Sequence, residues 1–355
     1  MKGRQIVLGT QHGWQIAALM VDGQLVDLFT DSSAVTEFQP GTILRGRVER
    51  PIKGLGGLFV RLPDGGQGFL RDRSGLSEGQ SVLVQVSGVA ETGKAVPLTS
   101  RLLFRGRYAI VTPGATGINV SRRIRETERR DALTLIGKAA LGAERDAGGI
   151  GLILRSAADA APEEDIADEL GELIEIADRI LVESSGAPDR LLDAPTPWEQ
   201  AWIDWADPAP DQVDEDDDAL VTTGALDQIE ALLSAHVSLT GGAAAEIEPT
   251  RACVAIDVNT GRDHSLAAGL KANLALARDL ARQLRLRGLG GQIVVDFAPM
   301  PKRDRATLDQ VLRAQFRGDA AETTLVGWTA MGLYEINRKR DRPALARVLQ
   351  AMVAT

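Results

Sequence analysis

Arg251-Ala252-Cys253-Val254-Ala255-Ile256-Asp257-Val258-Asn259-Thr260-Gly261 and, further along, Gly290-Gly291-Gln292-Ile293-Val294-Val295-Asp296-Phe297 are two short β-branched apolar runs, each stopping at an acid. Runs of this kind, bounded by glycine and polar residues, read as buried strands. Asn259 follows Asp257 by two residues and so shares its strand face. Residues 265–287 between the runs carry a helical pattern, which makes the unit strand, crossover helix, strand. Parallel strands joined in this way bring their carboxyl ends to one edge of the sheet, where open α/β folds place their chemistry. Asp257, Asp296 and Asn259 converging there form a hard oxygen donor set suited to Mg2+ or Mn2+. An acid ending a strand also serves as a helix cap or turn residue, and spacing alone leaves both readings open.

The words around both acids resemble the catalytic core of the ribonuclease E/G family. That family carries an Ala-Ile-Asp-Ile-Asn strand, a helix ending Ala-Arg-Gln-Leu-Arg-Leu-Arg, then Leu-Gly-Gly and a strand ending in Asp-Phe. This chain reads Ala255-Ile256-Asp257-Val258-Asn259, Ala281-Arg282-Gln283-Leu284-Arg285-Leu286-Arg287, Leu289-Gly290-Gly291 and Val295-Asp296-Phe297 in the same order. The resemblance implies that Asp257 and Asp296 bind a catalytic Mg2+ (or Mn2+), and that Asn259 holds the scissile phosphate or orients a carboxylate. Gly332-Leu333-Tyr334-Glu335, with Arg338 and Arg340, resembles the family's last strand of this region.

Upstream, residues 42–48, 57–62, 67–71, 81–86 and 95–99 read as five short strands separated by Gly, Pro and Asp turns. Five such strands suit an OB-fold, a common single-strand binding module. Phe59 and Phe69 match the two aromatics that the family's OB-fold presents to RNA, and Lys94 matches its basic partner. Aromatics in a small barrel also serve as core, and that alternative stands beside the first.

A third region resembles the family's 5′-monophosphate sensor. Ile118-Asn119-Val120-Ser121-Arg122-Arg123-Ile124 is similar to its Ile-Ser-Arg-Arg-Ile, and Gly151-Leu152-Ile153-Leu154-Arg155-Ser156 to its Gly-Leu-Ile-Val-Arg-Thr. The resemblance implies a phosphate pocket of Arg122, Arg123, Arg155 and Ser156, with serine replacing threonine as the hydroxyl donor.

The net charge of −9 argues against an RNA partner until its distribution is considered. Eight acids and no Lys or Arg lie between Asp204 and Asp218, so the remainder is near neutral. Arginine clusters at 122–130, 302–305 and 338–342 suit phosphate contacts, with Arg303, Arg305 and Arg338 as the RNA-binding candidates; solvated helix faces are the alternative. The acidic stretch, carrying Pro208 and Pro210, reads as a disordered or loosely held loop. Trp198, Trp202 and Trp205 recur at helical spacing and read as a packed helix face. A single cysteine, Cys253, excludes an internal disulfide and fits a reducing compartment. The absence of a signal peptide and of an apolar run of about 18 residues predicts a cytoplasmic protein without a membrane partner.

The expected fold class is α+β and multidomain: an OB-fold β-barrel insert, an α/β 5′-sensor-like region and a deoxyribonuclease I-like α/β catalytic subdomain. The segments are 1–39, an N-terminal β scaffold or shortened RNase H-like part; 40–103, the OB-fold; 104–203, the sensor-like region; 204–223, an acidic linker; and 224–355, the catalytic domain. Longer family members continue into a Cys-Pro-x-Cys zinc link between protomers. This chain ends at Thr355 without one, so no structural zinc is expected. The expected activity is Mg2+-dependent hydrolysis of single-stranded RNA to 5′-phosphate and 3′-hydroxyl products. A monomer is favoured over a zinc-independent dimer, because the acidic stretch would repel its copy near a two-fold axis. The rival is a non-catalytic RNA-binding protein or chaperone on the same scaffold. A nucleotide-binding phosphotransferase would want Gly-x-x-x-x-Gly-Lys-Ser/Thr, which the sequence lacks. Of His12, His236 and His264, only His264 lies near the acids in sequence, and it reads as a surface loop residue.

Overall fold

The computed structural model describes residues 3–354 apart from 53, 55, 72–74, 92, 148, 264 and 266. His264 lies outside the described residues. The chain forms two compact units: Met1–Lys2, Val7–Val35 and Asp214–Thr355 in one, Gly3–Ile6 and Thr36–Val213 in the other. The fold is mixed α+β and contains a closed, OB-like barrel of five strands, as the turn spacing predicts. Among the described residues no helix is long and apolar enough to cross a membrane.

In the first unit the decisive runs are strands Val254–Asn259 and Gly291–Asp296, paired in parallel and joined by helix Ala268–Leu286. They lie in a six-stranded sheet. Its order is His236–Ser238, Ala244–Pro249, Val254–Asn259, Gly291–Asp296, Tyr334–Arg338, Thr323–Trp328. Alternation along each strand gives the sheet two unlike faces. Val254, Ile256, Val258, Ile293 and Val295 point into the core. The crossover helix meets them with Ala272, Leu276, Leu280 and Leu284, every fourth residue and hence one stripe. A second part of the unit holds strands Trp14–Val21 and Gln24–Thr30, joined by Asp22 and Gly23 with φ of 50° and 78°, as the Asp-Gly turn predicts. Ile16, Met20 and Leu25 of this hairpin pack with Leu220, Ile229, Leu286 and Leu345.

Two arginines of this unit are structural. The Asp319 carboxylate, fully buried, accepts from Arg285 at 2.8 Å and from Arg338 at 2.7 Å. Arg338 is 1% exposed and also donates to the Leu289 carbonyl at 3.3 Å. The RNA-contacting role expected for Arg338 is therefore corrected: a guanidinium committed to a buried carboxylate is not presented to a ligand.

The second unit begins with the barrel. Its strands are Ile43–Val48, Leu58–Arg61, Gln67–Leu70, Ser81–Val86 and Val96–Thr99, each within two residues of the range read from the sequence. Pairing of Ile43–Val48 with Ser81–Val86 closes it around Leu44, Val60, Leu70, Val84 and Leu98. A Cβ on Gly46 would stand 2.3 Å from Val60 Cγ1, so glycine is what lets these strands cross closely. A sixth strand, Asp189–Leu192, adds to Ile43–Val48 from far along the chain. The α/β part pairs Ile118–Val120, Ile150–Leu154, Ala109–Pro113 and Phe104–Arg105 in that order, and helices Thr127–Ala147 and Glu163–Val182 contribute to its core. Helix Pro197–Trp205 carries the three tryptophans and starts in a capping box of Thr196 and Glu199.

The acidic stretch departs from the loosely held loop its composition suggests. It contains strand Gln212–Asp214 and helix Ala219–Thr222. Asp204 pairs with Arg105 at 2.6 Å, Asp207 with Arg123 at 3.0 Å, and Asp211 accepts from the Arg4 backbone N–H at 2.7 Å. These three acids meet cations and a backbone donor supplied from elsewhere in the chain, which a local composition count does not see.

Candidate functional site

Asp257, two residues before the end of its strand, and Asp296, at the end of its own, lie on the solvent-facing side of the six-stranded sheet, and they are register partners across the parallel pair. Adjacent strands lie about 4.8 Å apart, so the two carboxylates rise side by side from neighbouring backbones. Asn259 shares their face. Its Oδ1 accepts from the Gly261 N–H at 2.8 Å, which turns the side-chain NH2 group into the outward donor. Gly261 has φ of 64°, and a Cβ there would stand 2.2 Å from the Gly242 carbonyl, so this turn requires glycine.

The chain beyond Asp296 is held from behind. The buried Asn273 of the crossover helix accepts from the Ala298 N–H at 2.9 Å and donates to its carbonyl at 2.8 Å. Phe297 packs against Trp328 and Tyr334 at ring separations of 5.7 and 5.9 Å. Burial, reinforced by Asp309, pushes the Tyr334 phenol up to about 12. Asn273 is a positioning residue that the sequence reading missed; a polar residue on the apolar stripe of the crossover helix was the available signal.

The row through the two acids extends further. Glu246 is the antiparallel partner of Asp257, and His236 is the partner of Glu246. His236 Nδ1 lies 2.6 Å from Glu246 Oε1. His236, not adjacent to the acids in sequence, is thus the described histidine that shares their row. Arg303 is 87% exposed and 3.8 Å from Asp304, and Arg305 lies over the Trp328 ring at 4.0 Å.

The donor set fits Mg2+. Two carboxylates and an amide on an open face are hard oxygen and hydrogen-bonding groups, and Mg2+ commonly takes one or two carboxylates and fills its shell with water and phosphate oxygens. Among the described residues no group of three or more His, Cys, Asp or Glu is arranged for a metal, so the protein's share would be the aspartate pair.

On the barrel, Phe59 and Phe69 are register partners, half-buried, with ring centroids 5.5 Å apart edge to face. Lys94 is exposed and paired to Glu91 at 2.6 Å. The sensor-like residues are brought together only in part. Arg123 donates to Ser156 Oγ at 3.1 Å, and Arg122 is exposed. Arg155 instead turns inward, donating to the Gly106 and Ile203 carbonyls at 2.6 Å each and approaching Asp204 at 3.4 Å. Burial lowers its pKa, with Arg105 adding to the effect and Asp204 opposing it.

Residues 104–224 and 212–341 match the Ribonuclease E/G family. Ribonuclease E of Nostoc sp. is 30% identical over 95% of this chain and 56% of its own length. Ribonuclease E of Synechocystis sp. is 28% identical, over 95% and 57%. Ribonuclease G of Salmonella typhimurium is 27% identical, over 87% and 74%. The chain spans just over half the length of these ribonuclease E relatives.

Proposed function

Because the chain belongs to the ribonuclease E/G family, we propose that it is an endoribonuclease that hydrolyses single-stranded RNA to 5′-phosphate and 3′-hydroxyl products, in RNA processing or decay, rRNA included. The single observation that carries this reading is the register pairing of Asp257 with Asp296 on the open face of the sheet. Those two carboxylates would hold Mg2+, or Mn2+ in its place. Bound there, the ion supplies a Lewis acid that offsets charge on phosphoryl oxygens and makes a water more acidic. Asn259 presents its NH2 group to a non-bridging phosphate oxygen and so orients the scissile bond. Arg303, exposed beside this region, neutralises a neighbouring phosphate.

The six-stranded sheet with its helices would be the deoxyribonuclease I-like catalytic part, and the barrel would hold the single strand through Phe59, Phe69 and Lys94. The protein would act in the cytoplasm as a monomer. A non-catalytic RNA chaperone on this scaffold has no need for two paired acids on an open sheet face, and that disfavours it.

The test is incubation of the purified chain with a 5′-labelled, AU-rich single strand in Mg2+ and in EDTA, followed by end-group analysis. Mg2+-dependent internal cuts with 5′-phosphate ends are expected. RNA that is bound but left intact in Mg2+ would overturn the enzymatic reading.

A further inference from the structure

We propose that the outer face of the barrel carries a base-reading subsite selective for guanine, with Glu49 as the acceptor that chooses the base. This rests on the barrel being the module that holds single-stranded RNA.

The geometry is a small grid on three antiparallel strands. Arg47, Arg61 and Gln67 are successive cross-strand partners, and Phe59 pairs with Phe69 one step along. Glu49 follows the first strand, and its N–H donates to the Phe59 carbonyl at 2.9 Å, which sets it beside Phe59. Val48, Val60, Gly68 and Leu70 alternate with these residues and are buried, so the named side chains stand outward. Arg47, Glu49, Phe59, Arg61 and Gln67, with Arg50, line an open groove of about 790 Å3. Ligand sites commonly occupy about 300 to 1,000 Å3, so a stacked nucleotide fits.

The carboxylate in this groove is held by one hydrogen bond and a long ion pair. Glu49 Oε2 accepts from Gln67 Nε2 at 2.9 Å, and Arg61 Nε stands 3.7 Å from Oε1. A carboxylate only accepts, with about four lone-pair positions, so both oxygens keep capacity toward the groove. Among the four RNA bases, guanine alone offers two neighbouring donors on its Watson–Crick edge, N1–H and the 2-amino group. Adenine and cytosine offer an amino group there, and uracil a single imino N–H. A base stacked on Phe59 gains affinity whatever its identity, because every base has a π-face. The Glu49 edge contact then adds a term that only guanine satisfies in full. Arg47, Arg50 and Arg61 outnumber the two lining carboxylates, Glu49 and Glu78, so the groove does not repel a phosphate backbone.

The test uses the full chain in EDTA at fixed salt, with fluorescence anisotropy of labelled uridine nonamers bearing a central guanosine, inosine or adenosine. Guanosine is expected to bind about ten-fold tighter than adenosine, with inosine, which lacks the 2-amino group, close to adenosine. Glu49→Gln should bring guanosine down to adenosine, while Arg61→Ala weakens all three alike. Equal affinities in the wild type, inosine equal to guanosine, or a guanine preference that survives Glu49→Gln would each overturn the proposal; the inosine comparison needs no variant. Binding without preference overturns the guanine subsite alone, whereas binding of none of the three overturns the RNA-holding role of the barrel with it.

Discussion

Asp257 and Asp296 are register partners on neighbouring parallel strands, and Glu246 and His236 continue the same row on the next two strands. The spacing of the aspartate pair is set by backbone hydrogen bonding rather than by loops. A site built on sheet backbone is rigid, and that pairing holds two like charges side by side.

Asp257→Asn and Asp296→Asn each keep side-chain size and remove a charge. Each is expected to abolish cleavage, by a factor of about a thousand or more, while binding of single-stranded RNA changes little. Single-turnover cleavage and anisotropy on the same preparation check this. Full activity in either variant would remove the metal role from that residue.

The strand pair was legible because its apolar runs are buried on one face and stop at acids, and because a stripe of Ala272, Leu276, Leu280 and Leu284 sits between them. The barrel was legible from its turns. What escaped was set by distant partners. Strand Asp189–Leu192 is four residues long and finds its pairing partner in Ile43–Val48, far along the chain. Arg338 looks like any arginine of a basic cluster until Asp319 is folded beneath it. His236 joins the acids through two strand pairings that no sequence window spans.

Phe59 and Phe69 are half-buried and touch edge to face, so each ring retains a surface for stacking. Phe59→Ala and Phe69→Ala are each expected to weaken single-strand binding roughly ten-fold, from stacking of about 1 to 3 kcal/mol per base. Anisotropy gives the affinity and a thermal melt gives the fold. Unfolding of both variants would assign the rings to the core instead.

Asp319 offsets two arginines from a fully buried position. Asp319→Asn leaves Arg285 and Arg338 without that charge, and the expected cost is about 3 to 5 kcal/mol of stability. A urea titration followed by tryptophan fluorescence measures it. A midpoint unchanged from wild type would mean that solvent compensates the pair.

Tyr334 is raised from 10.0 to about 12, chiefly by burial. A proton held more tightly in the native state supports folding fully below pH 10 and ceases to do so as pH rises toward 12. Between those values the unfolded chain ionises this phenol and the folded chain does not. Tyr334→Phe is therefore expected to flatten part of the alkaline loss of stability, read as urea midpoints at successive pH values. Parallel curves for the two proteins would contradict the buried phenol.

Arg155 turns inward, away from the contact that Arg123 makes with Ser156. Its guanidinium satisfies the Gly106 and Ile203 carbonyls, so Arg155→Ala strands both acceptors, and a loss of about 1 to 3 kcal/mol is expected for each one left buried without a partner. If the sensor-like region takes a 5′-phosphate, the residues left to meet it are Arg123 and Ser156, which already touch each other. Asp207 stands 3.0 Å from that same Arg123 nitrogen, yet its Oδ2 makes no hydrogen bond, so this carboxylate holds an anion's place without being well satisfied there. A 5′-monophosphate bound to Arg123 would have to displace it. Asp207→Asn should therefore enlarge the rate advantage of a 5′-monophosphorylated oligonucleotide over its 5′-hydroxyl twin, by about three- to ten-fold on removal of one competing charge. Arg123→Ala should erase the advantage. If Asp207→Asn leaves the ratio unchanged and Arg155→Ala erases it in a stably folded protein, the phosphate contact belongs to Arg155 after all.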